Sequence, residues 1–273
     1  GGAHVSGFSA DWLTLREPYD LRARSREIIA AVAAAVAALP SVHIVDLASG
    51  TGATVRALTA HLPSHQVWRL ADNDLGLLGR ANAMALTDNV KVTAVPLDLN
   101  RDLEAALDGA IDLVTTSAFL DLVSKDWLDR LTTVIAARSI PFYAALTYDG
   151  RVDISPHDPA DASIVAAVNK HQATDKGFGL ALGPEAGGYV VASFERLGYA
   201  VTHRRSDWMI EPNDRDIQLD IFAGWAGAAR DIGALSLAET ASWLTRRRAG
   251  IAAGTSSLRI GHVDLFAVPT GSR

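Results

Sequence analysis

Asp46, Ala48, Gly50 and Gly52 fall at alternate positions in the stretch HIVDLASGTGAT, from His43 to Thr54. A strand entering a turn of small residues lets a ligand approach the backbone closely, near the start of the next helix. A dinucleotide pyrophosphate, a nucleoside triphosphate or a group without phosphate would each suit such a turn. The dinucleotide fingerprint G-x-G-x-x-G needs a third glycine, and Val55 stands in its place. A P-loop needs Lys followed by Ser or Thr, and neither pair occurs near this turn. The triphosphate reading fails and the dinucleotide reading is disfavoured.

Further along, acidic and small polar residues recur just where apolar runs end. LADND supplies Asp72, Asn73 and Asp74, PLDL supplies Asp98 and Leu99, and TTSAFLDL supplies Ser117, Ala118, Phe119 and Asp121. His61 and His65 have metal-like spacing, but they straddle Pro63 with no acidic companion, so no metal site is expected.

The elements that must position these residues follow from hydrophobic periodicity. Ile29, Val32, Val36 and Leu39 form one helical stripe within Leu21 to Leu39, which Pro40 ends. VHIVDLA, QVWRLAD, VKVTAVPLDL, AIDLVTTSA and IPFYAALTYDG read as five strands with helical segments between them. Such alternation indicates a doubly wound, mostly parallel sheet in a three-layer αβα sandwich. After Gly150 the rhythm changes. RVDISPHDPADA reads as a loop, SIVAAVNKHQA as a helix and TDKGFGLALGPEAGG as a glycine-rich connection. YVVASFERLG then reads as a helix and YAVTHRRSDWMI as a strand. Helices around Ile217–Arg230 and Ser236–Ala249 precede a last strand, LRIGHVDLFAVP. The two late strands predict an antiparallel hairpin at the edge of a seven-stranded sheet.

No linker divides the chain, so residues 1–273 read as a single domain. Residues 1–40 form a helical cap, and 150–188 and 213–250 are inserted segments over or beside the core. The formal charge of −6 argues against a nucleic-acid partner. The clusters His203-Arg204-Arg205 and Arg246-Arg247-Arg248 read as solvated faces. The absence of cysteine excludes disulfides and thiolate metal sites, with the cytoplasm as default compartment. No apolar run is long enough to span a bilayer.

The run Asp46-x-Ala48-x-Gly50-x-Gly52 resembles the first motif of class I S-adenosylmethionine-dependent methyltransferases, in which alanine often replaces the first glycine. The resemblance extends over Val42 to Tyr148 and loosely over the last strands. It implies S-adenosylmethionine (SAM) as cofactor, with Asp46, Ala48, Ser49, Gly50, Thr51 and Gly52 in the cofactor turn. Asp72, beside Asn73, would accept hydrogen bonds from both ribose hydroxyls. Capping of the next helix is the competing role for Asp72 and the favoured one for Asp74. Asp98 and the Leu99 amide would hold the adenine, unless Asp98 is a plain loop residue. Ser117 and Ala118, with Phe119, would floor the methionine part. In the N-terminal segment, Arg16 would pair with the cofactor carboxylate while Tyr19 and Trp12 cover the pocket. An ordinary amphipathic helix with surface arginine is the alternative there.

The reaction implied is in-line displacement at the sulfonium methyl by an oxygen or nitrogen of a small-molecule acceptor. Positioning and exclusion of water would do most of the work. Any general base would come from Asp121, Tyr148, His157 or His171. A non-catalytic SAM-binding relative and, less favoured, an NAD-dependent oxidoreductase are the competing functions. The segment Gly150 to Gly188, with His171, Asp175, Lys176 and Phe178, reads as an acceptor-side lid or as a surface loop.

Overall fold

The computed structural model describes residues 8–271. Ser9 caps the first helix, α1 (Ala10–Ala23), by accepting from the Trp12 amide. The expected stripe from Leu21 to Leu39 is not one helix. It breaks at Arg24, whose ψ of 133° is extended, and restarts at α2 (Arg26–Val36). Ser25 explains the break. Its hydroxyl accepts from the Ile28 amide, a helix-start interaction worth about 1 kcal/mol. Its own amide donates to Asp264, far along the chain.

Five strands then alternate with helices, as the periodicity requires. They are β1 (Val42–Leu47), α3 (Ala53–Leu58), β2 (Gln66–Asp72), α4 (Leu75–Asn82), β3 (Val90–Pro96), α5 (Leu99–Ala106), β4 (Leu113–Ser117), α6 (Lys125–Ala137) and β5 (Phe142–Ser155). The remainder is α7 (Asp161–Gln172), α8 (Ala186–Arg196), β6 (Tyr199–Arg205), β7 (Trp208–Ile210), α9 (Arg215–Ile232), α10 (Leu237–Ala252) and β8 (Ser257–Pro269).

The sheet runs β3-β2-β1-β4-β5-β8-β6, with β7 also on β8. β1 to β5 are parallel, whereas β8 is antiparallel to β5, β6 and β7. The expected antiparallel pair is present at the sheet edge, with β6 outermost against β8. β8 inserts between β5 and β6, and the stretch read as one strand breaks at Ser206-Asp207 into two that share the same edge of β8. β5 also runs past Gly150 into the stretch expected to be a loop. Bulges between Ala144 and Tyr148, and beyond Tyr148, re-aim it on the way.

One sheet face packs on Trp127, Leu131 and Phe194 from α6 and α8, the other on Ile28, Val32 and Leu78 from α2 and α4. The buried strands therefore lack polar alternation, as a sheet covered on both faces should. A third core joins α7, α9 and α10 around Phe222 and Trp243, against the extended part of β5 and β7. Here one basic cluster departs from its expected solvated face. Arg247 is buried and donates to the Pro156 carbonyl, while Arg246 forms a bidentate pair with Asp158. No helix among the described residues is long and apolar enough to cross a membrane.

Candidate active site

The turn after β1 has the backbone that its small residues promise. Ala48, Gly50 and Gly52 have positive φ of 54°, 55° and 93°. Alanine is strained there by about 1–2 kcal/mol relative to right-handed backbone. A Cβ on Gly52 would meet only the flexible end of the Met84 side chain, so the left-handed φ rather than the packing fixes that glycine. Asp72, at the end of β2, ties the turn down. One carboxylate oxygen accepts from the Gly50 amide and the other from the Asp74 amide, both at 2.9 Å. The Asn73 amide bears on the same carboxylate, which has about four acceptor sites in all, so only part of that capacity is left for a ligand. Burial pushes the Asp72 carboxyl above its ordinary range. Asp74 caps α4, accepting from the Leu77 amide.

Beside this turn lies a first cavity, lined by Ala48, Ser49, Gly50, Thr51, Asp72, Ser117, Ala118 and Phe119 together with Leu13, Arg16, Asp20 and Arg24 of the N-terminal segment. The helix α1 is held over the turn by Arg56, which pairs bidentately with Glu17 and donates to the Thr51 carbonyl. Arg24 lies deeper. It donates to Ser117 Oγ at 3.0 Å and to the Tyr143 hydroxyl at 3.2 Å, and its Nε is buried without a partner. Ser49 Oγ, on the same wall, is likewise unpartnered.

Several of the expected cofactor residues stand off this wall. Asp46 is wholly buried behind it, accepting from Thr115 Oγ1 while its second oxygen has no partner. Burial, only partly offset by Thr115 and Arg24, pushes its carboxyl up to about 7. Asp98 is exposed and caps α5 through the Asn100 amide, and Leu99 is buried in the core below. Asn73 is exposed, and Gly52 faces Met84 as the cap of α3. Tyr19 turns away to stack near Trp208 and under Arg22. Arg16 is not a surface arginine. It is buried, bidentate to Asp20 and 4.7 Å above the Trp208 ring.

A second cavity adjoins the first and shares Phe8, Arg16, Ala118 and Leu122 with it. Its walls include Trp12, Asp121, Tyr148, Trp208, Asp220, Trp225 and His262. Burial pushes the Asp121 carboxyl up to about 6, with backbone amides and Arg16 opposing. Tyr148 donates to Asn169 Oδ1 at 2.5 Å, and burial raises its hydroxyl pKa, so it is not poised to accept a proton. His262 sits 5.2 Å from the Trp208 ring centre, and burial lowers its pKa to about 4. It is neutral at neutral pH. Sequence reasoning missed His262, Trp208 and Asp20, because each lies on an element with no motif of its own.

His171 and His157 lie elsewhere. His171 bridges Lys176 and Asp231, and neither His171 nor Lys176 lines either cavity. His157 is exposed beside Asp161. Of residues 150–188, α7 contributes Val168 and Gln172 to the second cavity. Phe178 instead packs edge-on against Phe119 and Trp127, beneath the first cavity.

No protein-family model matches the chain, and no curated protein sequence matches it. Solved structures do. A cyclopropane-fatty-acyl-phospholipid synthase-like protein from Lactobacillus casei is 16% identical, covering 95% of this chain and 94% of its own, with a TM-score of 0.54. A cyclopropane synthase from Mycobacterium tuberculosis is 12% identical over 96% of both chains, with a TM-score of 0.49. A SAM-dependent methyltransferase from Thiobacillus denitrificans, in complex with S-adenosyl-L-homocysteine, is 15% identical over 96% of this chain and 99% of its own, with a TM-score of 0.44. Only the first exceeds 0.5, and at such identity it bears on fold alone. Together with the sheet order, it defines a doubly wound, Rossmann-like α/β fold with an antiparallel edge.

Proposed function

We propose that the chain is an enzyme that binds SAM in the first cavity and transfers its methyl group to an oxygen or nitrogen of a small acceptor in the second. The observation that carries this is the pair of cavities meeting at Ala118, Leu122 and Arg16, one beside the glycine turn and one aromatic. The first cavity suits the cofactor chemically. Asp72 keeps acceptor capacity for a ribose hydroxyl beside the amides it already holds, and Arg24 Nε and Ser49 Oγ are buried donors without a protein acceptor. Arg24, whose Nε has no partner, is a second guanidinium beside Arg16 for the amino-acid carboxylate, because Asp20 takes only Nε and one Nη of Arg16.

When bound, SAM would supply a sulfonium methyl that is already electrophilic. The protein's task is then to orient the acceptor and exclude water. Trp12, Trp208 and Trp225 would exclude water, and Asp121, its basicity raised by burial, is the group able to hold an acceptor's proton. The neutral His262, lowered to about 4, resists protonation. Calorimetric titration with SAM, S-adenosylhomocysteine (SAH), NAD and ATP tests the reading. SAM and SAH should bind and NAD and ATP should not bind comparably. Tighter binding of NAD would overturn it.

A further inference from the structure

The second cavity has walls of one electrical character. Trp12, Trp208, Trp225 and Tyr148 are among its aromatic lining, and Asp121 and Asp220 supply carboxylates. Among the described residues lining it, Arg16 is the one Lys or Arg, and Asp20 neutralises it through two hydrogen bonds. His262 adds no charge, since burial keeps its imidazole neutral at neutral pH. The wall is therefore net negative and rich in aromatic rings.

Position sharpens the selection. Asp121 lies in the turn after β4, between Ala118 and Leu122, the two residues of that turn that wall both cavities. Asp220 and Trp225 come from α9, and Asp220 is exposed. An anionic acceptor would meet two carboxylates and no free cation. A neutral apolar acceptor would strip water from Asp121 and return nothing. A cation would be attracted by both the carboxylates and the ring faces.

We propose that the second cavity receives an organic amine, its ammonium drawn to Asp121 and Asp220 and its carbon frame lying against the tryptophan rings. This rests on the methyl-transfer reading and selects nitrogen over oxygen as the acceptor atom. The ammonium would pass one proton to the Asp121 carboxylate, and the lone pair so freed would take the methyl from the sulfonium, leaving S-adenosylhomocysteine.

The experiment uses the full chain and three probes of similar shape: benzyltrimethylammonium, its neutral carbon counterpart neopentylbenzene, and phenylacetate. Binding is read by tryptophan fluorescence and calorimetry, with and without SAH. The cation should bind at least tenfold more tightly than the other two. Asp121→Asn and Trp225→Leu should each weaken it about fivefold or more. Asp220→Asn, on an exposed helix position, should weaken it about threefold and serves if the buried variant fails to fold. Phenylacetate or neopentylbenzene binding as tightly as the cation would overturn the proposal, as would unchanged cation binding in the folded Asp variants. If SAH binds and the cation does not, the amine assignment alone fails. If the cation binds and SAH does not, the methyl-transfer reading fails and the amine cavity stands.

Discussion

Asp72 and Arg24 divide the first cavity between two kinds of polar work, and each role has its own test. Asp72 accepts backbone amides from two turns, so removing it costs both structure and any ligand bond. Asp72→Ala should weaken SAH binding by about 2–3 kcal/mol and also lower stability, because the Gly50 and Asp74 amides lose their partner. Asp74→Ala removes a helix cap worth about 1 kcal/mol and should leave SAH affinity nearly unchanged. Calorimetry beside urea melts separates the two effects, and equal affinity losses would take Asp72 out of the ligand site. For Arg24 the discriminating ligand is 5′-methylthioadenosine, which lacks the amino-acid end of SAH. Arg24→Met should weaken SAH by about 1.5–3 kcal/mol, the range for hydrogen bonds to charged groups, and leave methylthioadenosine unaffected. Equal weakening of both would mean that Arg24 shapes the cavity without meeting the carboxylate.

At the level of elements, the cap over the cofactor cavity is built from contacts that bridge distant parts of the chain. Glu17 on α1 grips Arg56 on α3, and Asp264 on β8 receives the amides of Ser25 and Leu146. The Arg56–Glu17 pair is partly exposed, and such pairs contribute about 0–1 kcal/mol to stability. Glu17→Ala should therefore barely move the melting temperature while raising the SAH dissociation constant, since α1 would sit less firmly over Thr51. Unchanged affinity would leave α1 as packing alone. Deleting everything before Leu21 is a blunter probe than the sequence suggests. It would also remove Asp20, which accepts from the buried Trp208 indole. These contacts explain what could be read in advance. The turn from Asp46 to Gly52 and the ends of β2 and β4 were legible because strand, turn and helix are consecutive, so residue type reports local backbone. Arg24 was not, because only Ser25 with its distant partner Asp264 breaks the helical stripe and aims Arg24 inward. His262 and Trp208 were illegible for the same reason. They face the cavity through the insertion of β8 between β5 and β6, a pairing that alternating apolar residues do not specify.

Across the whole molecule, the buried ionisable groups set opposing pH dependences. Asp46 is pushed up to about 7 and Asp121 to about 6, whereas His262 is lowered to about 4. In the unfolded chain a carboxyl of this kind titrates near pH 4 and an imidazole near pH 6.5, roughly. The folded protein thus holds the Asp46 proton more strongly. That contribution to stability is fully present below about pH 4 and is lost as pH rises through about 7. His262 has the opposite sign: its contribution is present above about pH 6.5 and is lost as pH falls from there towards about 4. Asp158 and Asp207, held low by Arg246 and Arg151, matter only at the acid end, where protonation removes their pairing. Between about pH 4 and 6.5 the imidazole and the raised carboxyls offset one another. Above that range nothing opposes Asp46, whose ionised form is buried with one oxygen unpartnered. The ligand-free protein should therefore lose urea resistance between pH 6 and 8. Asp46→Asn keeps an acceptor for the Thr115 hydroxyl but has no proton to lose, so it should flatten that decline. Urea midpoints at pH 6, 7 and 8 for both proteins provide the measurement. A level profile in the parent chain, or the same decline in Asp46→Asn, would show that the Asp46 proton does not govern stability.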